Sequence, residues 1–202
     1  MRLDSDTRTV WHLAGRACGP WPDDWRPDLE RRLGHRPRRL GVWAEQALYG
    51  ALRALESSGE TALPADASLV VCSLGGPVQA LQSGLQSLEA GQLPMPFTFL
   101  QSQPAVMLAA LAAHLGGAAG WTGDAQAITH RDPVALLDLA LRAAPRGGLL
   151  IGWIEDPSAC KAAHRWLRLR PADPGLRATS VPLHHLDADR LGADAPTLWH
   201  LD

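Results

Sequence analysis

Covalent chemistry needs a thiol or hydroxyl with a base beside it, and few residues of this chain offer one. The stretch Ile128, Thr129, His130, Arg131, Asp132 leads into Pro133 and a run of helical periodicity. A helix N-terminus lowers a thiol pKa and stabilises a developing anion, so a cysteine placed there would be an effective nucleophile. No cysteine lies between Cys72 and Cys160, so this window holds no thiol in any register. Asp132 before Pro133 reads as an N-cap and first-turn pair rather than as a catalytic acid. Cys72 sits in an apolar run and reads as a small hydrophobe. Ser73 and Cys160 remain as candidate nucleophiles, but Ser73-Leu74-Gly75-Gly76 lacks the Gly-x-Ser-x-Gly spacing of a nucleophile elbow. Of the eight histidines, His184 and His185 are adjacent, and His164 and His200 lack a Cys or carboxylate partner at ligand spacing. The sequence therefore predicts no metal site and no cofactor.

Composition narrows the partners. The chain has 202 residues, 46% hydrophobic and 20% charged, with net charge −2, which suits a globular domain and gives no electrostatic case for nucleic acid or an anionic membrane. The first residues lack the apolar core of a signal peptide, and no apolar run reaches a membrane span, so a reducing cytoplasm is expected. The three cysteines do not form a disulfide framework. Eighteen arginines accompany one lysine, Lys161. The basic segment from Arg31 to Arg39 reads as a solvated face, with docking of an acidic carrier protein as the second reading. Trp21 and Trp25 read as core residues or interface anchors.

The positioning elements follow from periodicity. Thr9 to Arg16 reads as a short strand, Gly19 to Pro27 as a Trp- and Pro-rich loop, and Arg31 to Arg39 as irregular. Helical spacing runs from Leu40 to Leu55, and from Val78 to Ala90 after Gly75-Gly76-Pro77. Leu93 to Phe99 reads as extended and proline-broken, followed by a small-residue helix over Ala105 to Leu115. Ser68 to Ser73 and Gly148 to Ile154 are apolar without alternation, as in strands covered on both faces. Trp121 to Thr129 should be extended, with a helix from Pro133 to Ala144. His164 to Arg170 alternates like an edge strand, Pro171 to Gly192 reads as loop, and Thr197 to His200 as a last strand. The pattern predicts an α/β layered domain over residues 1–202, with 171–202 as a loosely packed C-terminal tail.

Three landmarks carry a resemblance. They are Val70-Val71-Cys72-Ser73-Leu74-Gly75-Gly76 with its following helix, the Leu93 to Gly116 loop and small-residue helix, and the Trp121 to Glu155 strand–helix–strand ending Gly152-Trp153-Ile154-Glu155-Asp156. In order and spacing they resemble the N-terminal half of a β-ketoacyl synthase. In particular they resemble the short chain-length-factor-like subunits of aryl polyene and xanthomonadin pigment systems. The resemblance implies a truncated thiolase-like fold, roughly the N-terminal half, in three α/β/α layers. It places the degenerate window Ile128, Thr129, His130, Arg131, Asp132 where the family carries its acyl-bearing cysteine, so that no residue is catalytic. It further implies a non-catalytic partner that heterodimerises with a full-length, cysteine-bearing ketosynthase in type II polyketide or fatty-acid-like biosynthesis. An acyl carrier protein would be met only indirectly. The implied interface is the strand bearing Ala125, Ala127, Ile128 and Thr129, which would otherwise leave an unpaired edge. The alternatives are an independent small α/β enzyme, acyltransferase or hydrolase, working through Ser73 or Cys160, and a homodimeric scaffold.

Overall fold

The two apolar runs without alternation form the middle of the sheet. In the computed structural model, which describes residues 9–117, 120–155, 163–172, 174–185 and 197–201, they are β2 (Ser68–Cys72) and β4 (Leu149–Ile154). Leu69 and Val71 enter one apolar cluster while Val70 and Cys72 enter the other. Each strand is thus covered on both faces, which explains the missing polar alternation. One layer comprises α1 (Trp25–Leu33), α2 (Val42–Ser57) and α5 (Pro104–Leu115), and the opposite layer is built on α6 (Pro133–Ala143). The architecture is the predicted three-layer α/β/α.

The sheet runs β3 (Asp124–Ile128), β2, β4, β5 (Ala163–Ala172), β1 (Val10–Pro20), β7 (Leu198–His200), β6 (Val181–Pro182). β2 is parallel to both β3 and β4, whereas β5 is antiparallel to β4 and to β1. β7 pairs with β1, and Trp199 on it is fully buried.

Four sequence readings are corrected. The Trp25–Leu33 segment is helical rather than loop and irregular basic chain. Pro27 falls in the first turn, where its missing N–H costs nothing, and Asp28 bonds Arg31 and Arg32 at helical spacing. Pro96–Gln101 forms a short helix, α4, in place of extended chain, again with proline at its start. β5 is an interior strand, not an edge. Its alternating arginines looked solvent-facing, but Arg168 is 0% exposed and is bound to Glu60. The segment read as loop after Pro171 contains 3₁₀ turns at Pro174–Thr179 and Leu183–His185, and Leu183 is buried.

One close packing gives a sharp test. The Trp166 indole lies against Gly50 of α2 and Gly152 of β4, where an added Cβ would come within 2.3 Å and 2.4 Å of ring atoms. Gly50→Ala should therefore destabilise by about 1–3 kcal/mol through overpacking, although alanine in an exposed helix would gain about 1 kcal/mol. Urea denaturation distinguishes these by sign.

Candidate functional site

The carboxyl ends of the three parallel strands converge, and this is where an open α/β sheet places its chemistry. β2 ends in the turn Ser73-Leu74-Gly75-Gly76, whose last glycine takes φ 62°, a conformation that favours glycine. The Glu155 carboxylate, just past β4, closes this turn. It accepts the backbone N–H of Leu74 at 2.7 Å, that of Gly75 at 3.2 Å and the Ser73 hydroxyl at 3.2 Å. The Ser73 oxygen in turn accepts the Gly76 N–H at 2.8 Å. Ser73 is thus locked into a turn, with a carboxylate on its hydroxyl and no imidazole between them. A serine nucleophile needs a base that takes its proton and later returns it. This one is held as a structural brace. Sequence reasoning placed Glu155 at the end of a landmark strand but missed its bond to the Ser73 turn, because nothing in the spacing signals an acceptor 82 residues from its donor.

Cys72 is buried and donates to the His130 carbonyl at 3.4 Å. Burial pushes its pKa up, a backbone hydrogen bond at His130 lowers it in part, and the Glu155 charge adds to the rise. The group stays a thiol at neutral pH, which is the wrong state for nucleophilic attack. Cys160 lies outside the described residues.

The window before α6 has a specific arrangement. Asp132 Oδ1 accepts the N–H groups of Val134 at 2.9 Å and Ala135 at 3.1 Å. The amides that would stabilise a thiolate or an oxyanion are therefore occupied by the helix's own carboxylate. His130 Nδ1 lies 3.1 Å from the Asp132 N–H, while Thr129, His130, Arg131 and Asp132 are all exposed.

Among the described residues β3 pairs only with β2 and so forms an open edge of the sheet. The Ile128 carbonyl accepts from Ser73 N at 3.2 Å, so Ile128 faces β2 with its backbone. By strand alternation the backbone groups of Ala127 and Ala125 turn outward. Ala127 and Thr129 are exposed, and Ala125 and Ile128 half-buried. Beside this edge lies a shallow groove of about 70 Å³ lined by Ile128, Leu136 and Leu139.

The other candidates disperse. His164 stacks on Trp21 at 3.7 Å, and burial, with some help from Arg53, pulls its pKa down to about 4 against a raising bond from Gly19. His200 contacts Ser180 at 2.8 Å, and the His184 and His185 rings meet edge to face in a 3₁₀ turn. No group of three or more metal-ligating side chains forms among the described residues. Trp21 and Trp25 pack around Tyr49. Arg31 and Arg32 are bound to Asp28, and Arg36 lies 3.5 Å from Glu30, so these charges of the basic segment are spent locally. A polar cavity of about 370 Å³, lined in part by Arg26, Arg36, Glu45, Gln79 and Gln101, was not foreseen from sequence. Within it Arg26 pairs with Glu45 at 3.2 Å, while Arg36 lies 3.5 Å from Glu30 outside the lining. No described helix is long and apolar enough to cross a membrane.

No protein-family model matches the chain, and no curated protein matches it. Solved structures do match. The ishigamide ketosynthase/chain length factor superimposes with a TM-score of 0.53 at 11% identity, over 87% of this chain and 61% of that chain. The fold is ketosynthase-like, and therefore thiolase-like. A ketosynthase in complex with its chain length factor from Xenorhabdus doucetiae gives a TM-score of 0.47 at 14% identity, over 83% of this chain and 80% of that one. The priming β-ketosynthase of the R1128 polyketide pathway gives 0.45 at 16% identity, over 86% and 53%. This chain thus spans about three fifths of the length of the structure on which the fold assignment rests. Among the described residues, the strand ends that meet at Ser73, His130 and Glu155 bring together no set of nucleophile, base and oxyanion donors.

Proposed function

We propose that the chain is a non-catalytic, chain-length-factor-like subunit that pairs with a full-length, cysteine-bearing ketosynthase in type II polyketide or fatty-acid-like biosynthesis. The observation that carries this is the start of α6. It has no thiol, and Asp132 occupies the amides that nucleophilic chemistry would use. A ketosynthase-like fold without that chemistry is useful to a condensing reaction through what it binds. The open edge of β3 supports pairing, because its outward N–H and C=O groups are satisfied by a partner strand. Carrier protein would then be met through the catalytic partner, since the arginines of the 31–39 segment with described carboxylate partners are bound within the chain. Ser73, braced by Glu155, lends no support to an independent hydrolase or acyltransferase.

Acylation tests the non-catalytic half of this reading. Incubated with acyl carrier thioesters, the purified chain should keep its intact mass, while an active ketosynthase run in parallel gains the acyl group. A stoichiometric acyl adduct on this chain would overturn the reading.

A further inference from the structure

The helix α3 (Val78–Glu89), α4 and the first turn of α2 wall the polar cavity of about 370 Å³, and Arg26 of α1 and Arg36 of the connection to α2 complete its lining. The volume lies within the range of small-molecule sites. Such sites are mostly apolar, and this one is not: Ser83, Thr98 and Gln101 join the two arginines and Glu45 in the lining. No residue of β2, β3 or β4 belongs to it, so it is separate from the strand ends at Ser73 and from the open edge.

The donors in this space outnumber their acceptors. Glu45 is the one carboxylate in the lining, and it takes a single bond from Arg26, at Nε. The two terminal nitrogens of Arg26 have no hydrogen-bond acceptor among the described residues, and its guanidinium lies over the Trp25 ring, 5.0 Å from the centroid. Arg36 makes no hydrogen bond among the described residues. Its contact with Glu30 is at 3.5 Å, from outside the lining, between side chains 77% and 44% exposed. An ion contact so open to water contributes little and yields to a better acceptor. Both arginines feel the Glu45 carboxylate, so they face one space. Guanidinium forks match the paired oxygens of a phosphate or a carboxylate. The wall beside them is tied down, because Arg39 takes φ 68° and stacks over Phe97 of α4 at 5.1 Å. The N-cap of α2, Gly41, has no side chain to cap the helix amides that border the same space.

From this we infer that the cavity is a binding site for a small organic anion. Arg26 and Arg36 take its phosphate or carboxylate head, and Ser83, Thr98 and Gln101 meet a hydroxyl- or amide-bearing body. The site does not depend on the pairing with a ketosynthase. Calorimetric titration of the full chain tests it, with glycerol 3-phosphate and malate as probes and the ionic strength held by sodium chloride. The two probes separate a phosphate head from a carboxylate head, and at least one should bind saturably with one-to-one stoichiometry. Glycerol, which keeps the hydroxyls and lacks the head, should not bind. Arg36→Gln should weaken the anion by about 10-fold or more, the loss of a charge-assisted bond. Arg36 is exposed, so its Tm should stay at the wild-type value. Glu45→Gln should tighten the anion by about 3-fold, because it removes the carboxylate that competes for Arg26. A purely structural Glu45 would give no such gain. Saturable binding of neither anion would overturn the site. So would binding that glycerol reproduces, or that neither substitution changes, because the arginines would then not be what holds the ligand.

Discussion

Replacing Glu60 with alanine should cost the folded chain about 3–5 kcal/mol, the penalty for stripping one partner from a buried ion pair. Arg168 sits on the interior strand β5 with no exposed surface. Its guanidinium donates to Glu60 at 2.6 Å and 2.9 Å, and to the carbonyls of Leu169 and Gly147 at 2.8 Å and 2.9 Å. Without the carboxylate a full positive charge stays in the core with two carbonyls for company. The loss should appear as a fall in Tm of roughly 10 °C. A Glu60→Ala/Arg168→Met chain removes both charges and should recover most of it, because the pair itself adds little net stability over an apolar replacement. If the double variant is no better than the single, the loss reflects packing rather than the orphaned charge.

The same pair sets an acid response. Burial alone would raise the Glu60 pKa, but bonds from Arg168 and Ser58 and the charges of Arg168 and Arg170 outweigh it and hold the carboxyl below its ordinary 4.5. A depressed folded-state pKa means that the unfolded chain takes up the proton first. The contribution is complete above about pH 4.5 and disappears as pH falls through the lower folded value. Denaturation series from pH 7 to pH 3 should show a larger acid loss in the wild-type chain than in the double variant, which keeps the contribution of Asp28, another carboxyl held below its ordinary range.

Legibility in the sequence followed burial geometry. The runs at β2 and β4 were plain because strands covered on both faces leave no polar alternation to misread. The start of α6 was equally plain, since Asp132-Pro133 encodes its own cap. β5 was misread because Arg168 carries a residue type that signals solvent, and the carboxylate that admits it to the core is 108 residues away. α1 was missed because its proline looks like a break and becomes harmless only when it falls in a first turn. At the candidate site, absence of a thiol could be read directly, but the Glu155 brace on the Ser73 turn needed the fold to bring two strand ends together. The α3 leucines were legible as a helix and not as an exposed face, because periodicity gives a stripe without saying what covers it.

The pairing stands or falls on one measurement, the mass of the complex recovered when this chain is co-expressed with a full-length cysteine-bearing ketosynthase, by size exclusion with light scattering. The expected result is a one-to-one heterodimer. Ala127→Pro gives it residue-level force. Ala127 turns its N–H away from β2, so proline there removes no bond of the sheet and should leave Tm within a few degrees. It does remove the donor that a partner strand would need, and its ring obstructs strand pairing, so the heterodimer should be weakened by 100-fold or more. Recovery of the ketosynthase without this chain would contradict the pairing. A heterodimer that forms equally well with Ala127→Pro would contradict the open edge as its interface.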